Sequence, residues 1–179
     1  MAQGSTSTGR TGGSLSGLAV MALAGGERLG RVQDIVFHAP SGRVTGFLVS
    51  TGGVLTKTRF LPATQVQSIG ADALTVPGAD ALGEGNPTAF DPDELEGKSL
   101  EGRPVLSESG TVVGKVTDVV VDTAAMMVSA LVLATGLLDN ALHGRPTLPL
   151  PLVRAFGKDS LVVPDAYDPH SSANHAPVS

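Results

Sequence analysis

The stretch GRVQDIVF occupies residues 30–37, and eighty-four residues later the chain reads GKVTDVVV at 114–121. The agreement extends outward on both sides of this phrase. SLSGLAV (14–20) matches SLEGRPV (99–105), and VTGFLVSTG (44–52) matches VSALVLATG (128–136). LPATQVQSIGADALTVP (61–77) matches LPLPLVRAFGKDSLVVP (148–164). The offset begins at 85, holds at 84 through the middle and rises to 87 at the end. Copy one therefore carries one extra residue near Gly25–Gly26, and copy two carries three extra before Leu148. Order, spacing and residue class agree, which makes this a tandem duplication; two copies are too few for a solenoid.

Each copy reads as short strands, because apolar runs of four to eight residues are broken by Gly, Pro, Asp and Ser clusters. In copy one the runs are roughly 18–23, 30–37, 43–50, 59–61, 66–69 and 73–76. HAPSG (38–42) and DTAA (122–125) have the length of hairpin turns. Several strands so closely spaced imply a small barrel or curled sheet. The prolines of LPATQV and LPLPLV remove ladder donors, so the chain should leave the sheet there for a turn or a short 3₁₀ piece.

The duplication also disposes of two look-alikes. VVVDTAAMMVSALVLATGLL (119–138) has the length and apolar character of a membrane span. Its partner, IVFHAPSGRVTGFLVSTGGV (35–54), contains His38, Pro40 and Arg43, so both segments are expected as β-hairpins. LSGLAVMALAGG (15–26) resembles the apolar region of a signal peptide, but its partner LEGRPVLSESG (100–110) is a mid-chain strand and turn. The expectation is a chain without membrane insertion, in a cytoplasmic setting. Residues 1–13 and 167–179 read as disordered tails, and 81–98 as an acidic linker in which DPDEL makes one helical turn. The expected domains are 14–80 and 99–166.

Composition narrows the function. Of 179 residues 41% are hydrophobic, and the net charge of −5 gives no basic balance for a phosphate backbone. Five Phe, one Tyr and no Trp leave few stacking platforms for single-stranded nucleic acid. The lack of Cys removes thiolate metal sites and a Cys nucleophile. His38, His143, His170 and His175 show no helical metal-site spacing, and Asp122 stands in copy two where copy one has His38. No Walker loop, dinucleotide fingerprint or G-x-S-x-G is present. The expectation is no enzyme activity, no metal and no cofactor.

The pattern L-x-G-x-x-V, then G-x-V-x-D followed by three apolar residues, a strand ending at T-G, L-P, and a closing G-x-D-x-L-x-V-P resembles the PRC-barrel family. The resemblance covers both copies, about 130 residues. It implies an all-β chain of two tandem small barrels packed against each other, with disordered tails. It also implies a module that binds proteins and helps to assemble complexes. The family includes the cytoplasmic domain of the photosynthetic reaction-centre H subunit and the C-terminal domain of a bacterial ribosome-maturation factor. No counterpart of the H subunit's membrane helix or of the factor's separate N-terminal domain is expected, so only the module is carried over. A ribosome- or RNA-processing-associated factor is the rival reading, though charge and composition argue against direct RNA contact. A peripheral subunit docking on a membrane complex is another, without an amphipathic basic helix to support it.

Within that frame Asp34 and Asp118, with Gly30 and Gly114, are expected as structural turn positions, the carboxylates accepting backbone N–H groups. The strand VSALVL (128–133) is apolar on both faces. Strict alternation sets Val128, Ala130 and Val132 against Ser129, Leu131 and Leu133, and in copy one Val44, Gly46 and Leu48 against Thr45, Phe47 and Val49. A second apolar face needs a cover, and a lone domain of about 60 residues buries only about 60% of its unfolded surface. Val128, Ala130 and Val132 are therefore expected at an interface, most simply the other barrel, with a homodimer or an unidentified protein partner as alternatives. In the longer loop GLLDNALHGRPT (136–147), Leu137, Leu138 and Leu142 either meet a partner or fold back over their own barrel.

Overall fold

The computed structural model describes residues 9–52, 56–83, 90–136 and 145–171. In chain order the strands are β1 (Arg10–Thr11), β2 (Ala19–Ala22), β3 (Arg28–His38), β4 (Val44–Thr51), β5 (Lys57–Pro62), β6 (Ser68–Ile69) and β7 (Ala73–Val76). They continue as β8 (Glu94–Glu96), β9 (Pro104–Ser107), β10 (Val112–Asp122), β11 (Met127–Ala134), β12 (Thr147–Pro149), β13 (Ala155–Phe156) and β14 (Leu161–Val163). One four-residue helix, α1 (Gly12–Leu15), and four 3₁₀ turns complete the described elements. None of the described helices is long and apolar enough to cross a membrane.

The chain divides into two compact units, one of residues 12–100 and one joining Met1–Thr11 to Glu101–Ser179. The first contains the seven-stranded sheet β5-β4-β3-β2-β7-β6, with β8 added beside β3. The second contains β12-β11-β10-β9-β14-β13, with β1 added beside β10. The path is the same in both, and in both a single parallel pair (β2 with β7, β9 with β14) closes an otherwise antiparallel curl. The strands fall where the apolar runs place them. Both LP segments leave the ladder for 3₁₀ turns, Ala63–Gln65 and Leu150–Leu152. The extra residue of copy one sits in the β2–β3 turn, and the longer loop of copy two lies between β11 and β12.

The sheets curl because their longest strands are bulged. Between Val32 and Asp34 the register against β4 moves by one residue only, leaving Gln33 unpaired; between Val36 and Phe37 the extra residue is Thr45. The second unit repeats both bulges, at Thr117 and at Ser129. A bulge inverts the alternation beyond it and sharpens the local twist. The interior face of the first unit is therefore Val32, Ile35 and Phe37 with Val44, Phe47 and Val49, all buried. In the second it is Val116, Val119 and Val121 with Val128, Leu131 and Leu133, again all buried. Each such aliphatic or aromatic side chain contributes about 1.5–3 kcal/mol on leaving water.

This corrects the alternation read from sequence: Val128, 2% exposed, is an interior residue and does not share the face of Ala130 and Val132. Val44 moves likewise to the face of Phe47 and Val49. The bulge residues carry hydroxyls that bond across the hairpin, Thr45 Oγ1 donating to Val36 O at 3.3 Å and Ser129 Oγ to Val120 O at 3.4 Å.

The segments read as tail and linker hold structure in their described parts. Arg10–Thr11 is a strand and Gly12–Leu15 a helical turn. DPDEL is not helical: Glu94 N–H donates to Asp91 O at 2.8 Å in a turn, and the chain then extends as β8. Tyr167, within the expected C-terminal tail, is buried, and its hydroxyl donates to Thr147 O at 3.3 Å. Burial, then the Asp168 charge, pushes that phenol up to about 12.

Candidate functional site

Two neighbourhoods merit a functional reading: the outer face of each long hairpin, with the segment laid beside it, and an open cleft in the second unit. In the first unit the outer face carries Asp34 and Val36 on β3 and Gly46 and Leu48 on β4. Asp34 follows the Gln33 bulge, where the broken ladder leaves backbone donors seeking partners. Its Oδ1 accepts from Ile35 N at 2.8 Å, and its Oδ2 from Lys98 N at 3.0 Å. The Lys98 ammonium reaches back to Gln33 O and Ser16 Oγ. Asp34 is 8% exposed, and it is the single charged residue among the buried positions described. Burial raises its carboxyl above the ordinary 3.8; the Lys98 and Ile35 N–H groups and the Lys98 charge oppose that rise, and Glu96 adds to it.

Beside Asp34, the chain from residue 90 onward covers the outer face. Gly97 N donates to Ile35 O at 3.0 Å, β8 pairs with Val36–His38, and Ala39 N donates to Asp93 O at 2.8 Å. Phe90 packs on Phe60 of β5 with ring centroids 5.9 Å apart and planes tilted by 59°. Phe60 lies across Gly46, where a Cβ would run into its ring and into Leu61 O. The glycine is thus required for this close approach.

The second unit builds the same face with different side chains. Asp118 Oδ1 accepts from Val119 N at 2.8 Å. Ala130 stands where the first unit has Gly46, and Thr147 where it has Phe60. Val120 and Val132, each 7% exposed, are also buried on this outer face, the backbone at Gly9 lying against Val120. Gly30 and Gly114 sit on β3 and β10, where added side chains would press on Ser50 O and Ala134 O respectively. Leu137, Leu138 and Leu142 lie outside the described residues.

The cleft, about 490 Å³, opens between Val112–Lys115 and Ala134–Gly136. Val112, 59% exposed, stands at its rim. Elsewhere the buried Ser107 Oγ pairs with Ser109 Oγ at 2.8 Å and accepts from Thr111 N at 3.2 Å. Among the described residues no group of three or more His, Asp or Glu is gathered in a way that could hold a metal ion. Sequence reasoning found the two aspartates through the repeat. It missed Lys98, Phe60, Phe90 and Gly46; the Gly-for-Ala and Phe-for-Thr exchanges between the copies were the available signal.

Comparison with family models gives the PRC-barrel domain twice, over residues 9–82 and 92–168. A search of curated proteins finds no match to the chain.

Proposed function

The chain belongs to the PRC-barrel family, as two tandem copies, and on that premise we propose that it is a non-catalytic module for protein interaction and assembly. The observation that carries this reading is the use made of Asp34. Its two oxygens are taken up by the N–H groups of Ile35 and Lys98, so the carboxylate acts as a fold determinant and not as an acid or base. Its copy, Asp118, makes the same bond to the residue that follows. Duplication preserves a fold determinant in each copy, whereas a catalytic group needs only one.

The partner surface in this proposal is the β11–β12 connection, with Leu137, Leu138 and Leu142 supplying apolar contact. Ala130 and Val132 complete an interface face, from which the interior residue Val128 is removed. The test replaces the three leucines with Ser in the full chain. Wild type and variant are compared by thermal melt, by sedimentation across concentration and by cross-linked capture of a partner. The expected result is an unchanged melt with loss of a concentration-dependent dimer or of a captured protein. A variant that binds as wild type does would remove this loop from the interface. A variant that unfolds would show that the leucines close their own barrel.

A further inference from the structure

Each unit holds one strand that comes from the start of the other repeat. In the first unit the visitor is residues 93–98, which run along β3 from Ala39 back to Asp34. Its bonds are Ala39 N to Asp93 O, the β8 ladder, Gly97 N to Ile35 O, and Lys98 N to Asp34 Oδ2. In the second unit Arg10–Thr11 lies beside β10, opposite Val121 and Val120. By the repeat offsets, Thr11 corresponds to Glu96 and Val120 to Val36. The pairs Thr11↔Val120 and Val36↔Glu96 are therefore one contact made twice, in opposite senses. The family match begins at residues 9 and 92. The leader thus belongs to each repeat, and each repeat gives its leader away and receives its sister's.

We propose that the slot beside the long central strand is the recognition edge of this fold, that its occupant is the leader strand of a second PRC-type repeat, and that this chain is a strand-exchanged pair fused into one polypeptide. Strand addition suits the role because the main-chain ladder supplies most of the attraction whatever the side chains. Exchange of an identical element is a low-cost route to pairing. Specificity comes from the ends of the slot. At one end Asp34 accepts an N–H beyond the ladder, from Lys98, whose ammonium bonds Gln33 O. Along the ladder Leu95 lies opposite Phe37. The inference does not depend on the foreign partner proposed above, since both slots are filled from within the chain.

The experiment uses the full chain with a site-specific protease sequence inserted between Asn86 and Pro87. After cutting, the halves are expected to sediment together at a 1:1 ratio at micromolar concentration. Gly97→Pro, which deletes the donor to Ile35 O, is expected to weaken their association at least tenfold. A second measurement does not depend on how that variant folds. His38 and Glu94 are cross-strand partners, and such pairs have Cα separations of about 4.5–5.5 Å, within disulfide range. The chain has no other cysteine. In a His38→Cys/Glu94→Cys chain, oxidation followed by cutting is expected to leave the halves linked on a denaturing gel. Halves that separate on cutting while both remain folded, or a folded double-cysteine chain that forms no such link, would overturn the proposal.

Discussion

At the scale of single residues, Asp34 and Gly46 show how local chemistry sets the outer face. The Asp34 carboxylate is buried beside a bulge, and two backbone donors depend on it. Asp34→Ala strands both and is expected to cost about 1–3 kcal/mol. Asp34→Asn keeps one acceptor and should cost less. Because burial raises the folded carboxyl above 3.8, the folded chain holds this proton to higher pH than the unfolded chain does. The group's contribution to stability is therefore greatest below the unfolded value and falls as pH rises through the raised folded value. Urea melts from about pH 3.5 upward should show that decline in wild type and lose it in Asp34→Asn. Gly46 makes a different demand, since Phe60 occupies the space of its side chain. Gly46→Ala is expected to destabilise by about 1–3 kcal/mol through overpacking. Phe60→Thr, which copies the presence of Ala130 and Thr147 at the corresponding positions of the second unit, should recover most of that loss when combined with it. The check is a double-mutant cycle read by denaturant midpoints, with coupling of at least about 0.5 kcal/mol.

At the scale of elements, the hairpins show what was legible in the chain and what was not. Strand positions, the 3₁₀ turns at the LP segments and the hairpin over 119–134 followed from apolar runs, prolines and the repeat. The faces did not, because strict alternation has no place for the extra residues at Thr45 and Ser129. A hydroxyl at the same place in two apolar strands was the trace of the bulge, since each bonds a carbonyl across the hairpin. The leader strands were illegible for another reason. Two or three residues such as Arg10–Thr11 and Glu94–Glu96 carry no periodicity, and an acidic run looks like solvent-exposed linker. Asp34 and Asp118 could be read as a pair, but Lys98, which meets Asp34 from 64 positions away, could not. The turns also differ between copies. Gly42 holds a left-handed φ of 74° after HAPS, and Met126 holds 53° at the corresponding place. A non-glycine residue there costs about 1–2 kcal/mol, so Met126→Gly is expected to raise the stability of the second unit by about 1 kcal/mol after its own entropic cost. Thermal melts of the variant would check this.

At the scale of the whole molecule, sequence duplication and structural units do not share boundaries. The family repeats begin at residues 9 and 92, whereas the compact units change over after Thr11 and after Leu100. That offset places each leader in the unit it did not come from. It also explains why an apparent linker is built into a sheet. Asp34, read from sequence as a structural turn position, also accepts the Lys98 N–H at the end of the leader. The proposed function rests on the same architecture: both oxygens of Asp34, the one charged residue among the buried positions described, are taken up by backbone N–H groups. Amide hydrogen exchange on the intact chain tests the architecture most directly. The amides of Gly97 and Ala39, which close the two ends of the visiting strand, should be protected to nearly the same degree as those of Ile35 and Phe47 in the barrel interior. Exchange at Gly97 and Glu94–Glu96 at the rate of an unstructured chain, with the interior still protected, would contradict it.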